Sequence, residues 1–410
     1  MTTLADLLNS YLDLRRHFDP AAASAAGTVS ADARLGAFDA RSMREHLAAF
    51  RSVAGAIEDL EIDDLEEEID RTALLADLGS LLSRFEQERP HVHDPGFWVE
   101  HAYLAVQSLL ERPEPDAVAP AALARIAALP DFLESARGTI RRPPLLLVDA
   151  ALPRLGPLGE LLVRAAAVFG PGAPGGVEAM NTAVAAALEA LTRFGRALRD
   201  EIEPQAGWAG TALGEERLRR RIEEAYAIRA GPAELARWAE ELLNRTAPVP
   251  PVPAGGHPDT LAGAQDRARE GALSPVRRAL RSAVAAEGWS LYAASAAAKE
   301  PERSRRLRAA AAELLVDVGL HAGGMTPGEA ARTLVAQSGL TAEAAEREVR
   351  RIAASPGSGL AAAAGYREIV RLWQAYAQKR RPDPDAFHEE LLRYGALSPA
   401  LAGWGMGISG

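Results

Sequence analysis

Glu287, Tyr292, Asp317 and His321 are the side chains of this sequence best suited to acid–base chemistry, and all four fall between Leu280 and Thr326. The stretch opens with Glu287-Gly288-Trp289-Ser290-Leu291-Tyr292 and closes with Leu315-Val316-Asp317-Val318-Gly319-Leu320-His321. Asp317 and His321 are four residues apart, so on a helix they share one face. A histidine oriented by a carboxylate suits proton transfer near neutral pH, with Glu287 as a second base and Tyr292 as a phenol. Two readings stand on these residues alone. In one they line a pocket. In the other Glu287 caps a helix and Asp317 holds His321 in a polar core, since buried polar groups are normally satisfied ones.

Helices must position these residues. Leu47, Phe50, Ala54, Ile57 and Leu60 step by three and four, and Leu74, Leu78, Leu81, Leu82 and Phe85 repeat that period. Further helices are read over 121–139 with a turn at Pro130, over 158–169, 177–203, 215–230 and 232–245, and on to the end of the chain. Thr326-Pro327-Gly328-Glu329 is written as a capped helix start. Alternation is absent, so the expected fold class is all-α, a multi-helix architecture. Pro113–Pro120 reads as a linker, and His91-Val92-His93 with Asp94-Pro95-Gly96 reads as a loop. Those histidines, with His101, would need a further ligand to hold zinc. The clearest boundary is Pro-rich and ends in Gly255-Gly256. It divides the chain into an N-terminal helical region over 1–246, a linker over 247–258, and a C-terminal helical region over 259–410 that carries the site.

Composition narrows the function. The 410 residues include no cysteine, which excludes disulfides, thiolate zinc sites and a cysteine nucleophile. A formal charge of −10 argues against a general nucleic-acid partner. The arginines of 217–221, 277–281 and 303–308 are spaced as solvated helix faces. The acids of 58–70 read as a solvated face with N-terminal charges that complement a helix dipole. No apolar run reaches the length of a membrane span, and Met1–Asp6 lacks the basic and apolar regions of a leader. No membrane partner and a cytoplasmic location are therefore expected.

The order of motifs resembles a bacterial zinc-metallopeptidase-like family of unknown function. They are Glu287 to Tyr292, Val316 to His321, Pro356-Gly357, and Phe387-His388 through Leu391-Leu392 to Gly395. Leu129-Pro130-Asp131-Phe132-Leu133 and Leu213-Gly214-Glu215-Glu216 extend the resemblance to the first half. It implies a His-Glu-x-x-Pro-Gly-His-His motif that holds zinc, with the Glu287 position as a further ligand. That motif belongs near 256–263, where this chain has Gly256-His257-Pro258-Asp259-Thr260-Leu261-Ala262-Gly263. The tyrosine and lysine implied before Gly365 are absent from Leu360-Ala361-Ala362-Ala363-Ala364, and the Pro-rich linker stands where one cleft wall should be.

An active zinc peptidase is accordingly not expected, and neither a metal nor another cofactor is assigned. The leading expectation is a metal-free small-molecule enzyme performing elimination, cyclisation or amine activation in specialised metabolism. Glu287 or His321 would act as base, Asp317 as orienter and Tyr292 as a catalytic phenol. Trp289, His388 and an arginine among Arg277, Arg278 and Arg351 would hold an anionic substrate. The alternative is a catalytically inactive binding or assembly subunit that exposes helix faces to a companion chain. The lost motif predicts less than stoichiometric zinc in the purified chain after dialysis against a weak chelator. One zinc per chain by elemental analysis would return His257, His321 and Glu287 to the ligand set.

Overall fold

The computed structural model describes residues 2–202, 211–244, 261 and 263–408. Helices with short connections make up the described chain, and no strand occurs among those residues. The all-α expectation is met. The Pro-rich stretch 247–258 and His257 lie outside the described residues. Contacts divide the chain into two compact units. Unit 1 comprises Met1–Leu8, Ala54–Leu81 and Thr211–Gly410, and unit 2 comprises Asn9–Val53 and Leu82–Gly210. Segment 54–81 thus folds with the C-terminal part, across the boundary that the linker suggests.

Unit 1 is built on two helices, Ala283–Ala297 and Ala361–Lys379. Their crossing point is glycine on both sides. A Cβ on Gly288 would lie 2.5 Å from Gly365 Cα, and one on Gly365 would strike the Val284 carbonyl. Only glycine permits backbones this close. The crossing fixes the rotation of the first helix. Val284, Ala285, Gly288, Trp289 and Tyr292 turn inward, while Ala283, Glu287, Ser290 and Ala297 form the exposed stripe at helical spacing. Glu302–His321 packs against both helices of the pair and against Pro232–Asn244 and Pro327–Ser338.

The starts of several helices follow from their sequences. Thr326 and Glu329 form the expected capping box, and Thr341 accepts the Ala344 amide. Leu65–Ser83 opens with Glu66, Glu67 and Glu68 in its first turn, as the dipole reading requires. Asp70 departs from that reading. It is buried, accepting from Ser274 Oγ at 2.5 Å and Arg277 Nε at 2.7 Å.

In unit 2, Phe38, Phe97, Trp98 and Phe132 pack edge-to-face or tilted at the core. Fully buried Arg125 donates to the Ala105 and Ala31 carbonyls at 2.6 and 2.7 Å. Two sequence expectations change here. The linker read at Pro113–Pro120 is largely helix, because Pro115 starts Pro115–Ala127 at a position that needs no amide donor. The loop read at His91–Gly96 is a short helix, Pro90–His93, followed directly by Pro95–Leu110 with Asp94 as its cap.

The glycine crossing makes a signed prediction. Alanine in a helix ordinarily stabilises relative to glycine by up to about 1 kcal/mol. At this crossing Gly365→Ala should instead destabilise by about 2 kcal/mol or more, through overpacking. Urea unfolding should show a lower midpoint at unchanged slope. A midpoint equal to or above that of the parent would mean the two helices are not held in contact here.

Candidate functional site

The structure sorts the predicted site residues into three places within unit 1. Asp317 and His321 form the first, both fully buried on the Glu302–His321 helix. His321 Nδ1 lies 3.0 Å from the Thr211 carbonyl oxygen, and Nε2 lies 3.0 Å from that of Ile352. Carbonyl oxygens only accept, so each ring nitrogen that bonds one does so as a donor. Asp317 lies 3.8 Å away. Asp317 in turn accepts from the amides of Gly357, Gly359 and Leu360 at 3.0, 2.7 and 3.1 Å. Burial raises the Asp317 carboxyl above its ordinary value, and His321 and the three amides only partly offset this. The pair therefore latches the loop after Ala342–Ala354 onto its helix. A general base needs a free lone pair and access to substrate, and His321 has neither.

The second place is an aromatic cluster. Tyr292 and His388 are buried, with the Tyr292 hydroxyl 2.9 Å from His388 Nε2. Trp289 stacks on Tyr292 at 5.6 Å and donates to the Leu261 carbonyl at 3.1 Å. Burial pushes the Tyr292 phenol well above its ordinary range and pulls His388 down to about 4, so both are neutral at pH 7. His388 Nδ1 has no hydrogen-bond partner among the described residues.

The third place is the solvent side of the helix pair. Glu287 is exposed there, away from buried His321, so the two expected bases do not share a cavity. Glu287 instead acts on Glu313, a half-buried carboxyl one turn before Asp317. Burial and the like charge of Glu348 raise Glu313 to about 7; Arg351 opposes this, and Glu287 and Asp317 add to it. Arg351 donates to Glu348 at 2.8 Å through Nε and sits 3.8 Å from Glu313 Oε2. Glu313 escaped the sequence reading although it shares the stripe of Asp317 and His321, because the motif there was read only from Leu315.

The remaining arginines do not reach this region as substrate ligands. Arg277 is buried between Asp70 at 2.7 Å and Glu66 at 2.8 Å, with its guanidinium 4.7 Å from the Tyr394 ring centroid. Arg278 donates to the Leu273 carbonyl at 2.8 Å and to that of Ala272. In the structure both arginines hold the Ser274–Leu280 segment, Arg277 from a buried position and Arg278 from an exposed one.

Among the described residues no three His, Asp or Glu side chains converge as a metal ion requires. His321 has no lone pair to offer, and Glu287 meets no histidine among them. The described residues do not fit the zinc centre that the motif resemblance implies.

The latch makes a testable claim. Asp317→Asn removes an acceptor of the three loop amides and puts an NH2 donor against them. It should cost about 3–5 kcal/mol of stability and speed hydrogen exchange at Gly357, Gly359 and Leu360. Protected amides in a variant of parental stability would show that the carboxylate does not hold the loop.

No curated protein matches the chain. Among the solved structures that share its fold are two described as follows. One is described as "a putative lipoprotein of unknown function from Shewanella oneidensis", with TM-score 0.77, 15% identity, and 99% of this chain and 100% of that one covered. The other is described as "the putative lipoprotein from Colwellia psychrerythraea", with TM-score 0.74, 12% identity and 99% of each chain covered. These neighbours correct the cytoplasmic placement drawn from the sequence: both are described as lipoproteins, so the fold carries no cytoplasmic assignment. No described helix is long and apolar enough to cross a membrane. The family model described as "Bacterial protein of unknown function (DUF885)" matches residues 20–248 and 260–402, and the chain belongs to that family.

Proposed function

We propose that this chain is a binding or assembly protein on a zinc-metallopeptidase-like scaffold, and that its Glu287–His321 stretch has structural rather than catalytic work. The observation that carries this reading is the occupancy of His321: both ring nitrogens are spent on main-chain carbonyls. The same holds around it. Asp317 is spent on three amides, Tyr292 and His388 meet inside an aromatic cluster, and Arg277 is spent on Asp70 and Glu66. What remains for recognition is surface and cavity, suited to a small molecule with an anionic group or to a companion chain.

One observation favours a second reading, a metal-free acid–base enzyme. Glu313 is raised to about 7 beside Glu287 and Arg351, and a carboxyl poised near neutral pH matches a proton-transfer role. In that reading Glu313 takes the part that the sequence gives to His321.

Turnover separates the readings. The purified full chain, with and without added zinc, is incubated with mixed short peptides and organic acids on both sides of pH 7, and products are read by mass spectrometry. The binding reading expects none above buffer. Product that disappears in Glu313→Gln would replace it with the acid–base reading. Product that needs zinc and disappears in Glu287→Gln would restore the peptidase. Stability gives an independent check on Glu313. Its folded pKa lies above the ordinary 4.5, so its contribution is full below that value and is lost as pH rises through about 7. Discounted for its partial exposure, the loss is of order 1 kcal/mol. Glu313→Gln should remove this decline.

A further inference from the structure

Unit 2 contains a cavity of about 830 Å³, within the range of small-molecule sites, that none of the Glu287–His321 residues lines. It has three walls. One is the Ala40–Glu58 helix, through Met43, Arg44, Leu47 and Arg51. The second is the π-helical turn Arg84–Glu88 with the Arg89–Val92 segment, and the third is the end of Leu129–Thr139 with Arg141. Arg141 N donates to the Val92 carbonyl at 2.9 Å, which ties the second wall to the third. The floor is apolar: Met43, Leu47, Phe85 and Val92 are each less than 9% exposed.

The charges around this floor are unevenly committed. Both carboxylates of the wall are already satisfied. Asp39 accepts from Ser42 Oγ at 2.6 Å and from two amides, and Glu86 pairs with Arg51 at 2.7 Å. Arg44, Arg89 and Arg141 pair with no carboxylate among the described residues. The side-chain bonds found for Arg44 and Arg141 run to their own segments' carbonyls, at Ala40 and Ile140. His91 adds a separate signal. It is 5% exposed, it lines the cavity, and its Nδ1 has no hydrogen-bond partner among the described residues. Burial, together with Arg89 and His93, holds this imidazole down to about 4, so it adds no positive charge to the wall at pH 7. Arg89 stands at φ 51, ψ 54, a conformation that L residues adopt at a cost. The π-helical turn just before it is a feature frequent at functional sites. The comparable cavity of unit 1, about 660 Å³ around Asp70, Ser274 and Arg277, differs: those polar groups are bonded to one another.

We propose that the unit 2 cavity binds a small organic carboxylate with a hydrocarbon body. The head group lies among Arg44, Arg89 and Arg141, and the body lies on Met43, Leu47 and Phe85. Guanidinium groups match a carboxylate's two oxygens, and the apolar floor selects against a bare inorganic anion. This goes beyond the binding reading above and uses none of the Glu287–His321 residues.

The test is calorimetric titration of the full chain with decanoate, with decanol as the same body without the charge and inorganic phosphate as a charge without the body. One decanoate per chain is expected, with decanol and phosphate at least about tenfold weaker. The Arg44→Gln/Arg89→Gln double variant should bind decanoate at least about tenfold more weakly at an unchanged thermal midpoint. Should that variant lose its fold, Arg141→Gln alone is read the same way. Decanol or phosphate binding as tightly as decanoate, a folded variant with parental affinity, or no saturable heat would each overturn the proposal. Glu313→Gln should leave decanoate binding intact, so turnover at Glu313 and an empty unit 2 cavity are separate failures.

Discussion

The contact between Gly288 and Gly365 is the constraint on which the rest of unit 1 depends. Two helix backbones meet where a single methyl would collide with a carbonyl oxygen. Once Gly288 faces its partner, helical geometry leaves no freedom for its neighbours. Trp289 and Tyr292 must go inside, where Trp289 finds the Leu261 carbonyl and Tyr292 finds His388. Glu287 must go outside. The Glu-Gly-Trp-x-Leu-Tyr sequence is thus intelligible as a packing instruction, without reference to a metal.

The other motifs read the same way. Gly357 has φ +88, a conformation open to glycine, and its amide reaches Asp317. A Cβ on Gly359 would lie 2.8 Å from the Glu313 carbonyl oxygen, so the loop lies directly on the helix that it bonds. A buried carboxyl and imidazole are costly to desolvate, and they persist because their polar atoms have partners. Three amides serve Asp317 and two carbonyls serve His321. The residues that make the sequence resemble a peptidase-like family are therefore those with structural duties. Such a resemblance speaks to how the chain folds, and leaves its chemistry to residues elsewhere.

This explains what could be read in advance. Helix periodicity, the Thr326 and Thr341 caps and the absence of strands are local properties, carried by residues three or four apart, and they were legible. Asp317 and His321 sharing a face was legible for the same reason. The partners that decide their role were not. The carbonyls that consume His321 belong to residues 110 and 31 positions away, and Asp70 meets Arg277 across 207. No side-chain pattern marks which backbone carbonyl will face a histidine. The misread segments failed for a different reason: Pro115 and Pro95 were taken as breakers, yet each stands in a first helical turn, where proline initiates.

Polar residue type alone therefore says little about function in this chain; what discriminates is whether the folded chain has already used the group. Arg277 and His321 look like ligands in the sequence, but Arg277 is paired with Asp70 and Glu66 and both ring nitrogens of His321 meet main-chain carbonyls. Freeing Arg277 for a substrate would leave buried Asp70 without its partner, at several kcal/mol. Arg44 and Arg89 are exposed cations in an acidic chain, but they line a cavity with an apolar floor and pair with no carboxylate among the described residues. A ligand carboxylate arriving there displaces no carboxylate from these arginines. That asymmetry is a property of the tertiary structure, and it directs the search for a ligand to unit 2 rather than to the stretch richest in chemical side chains.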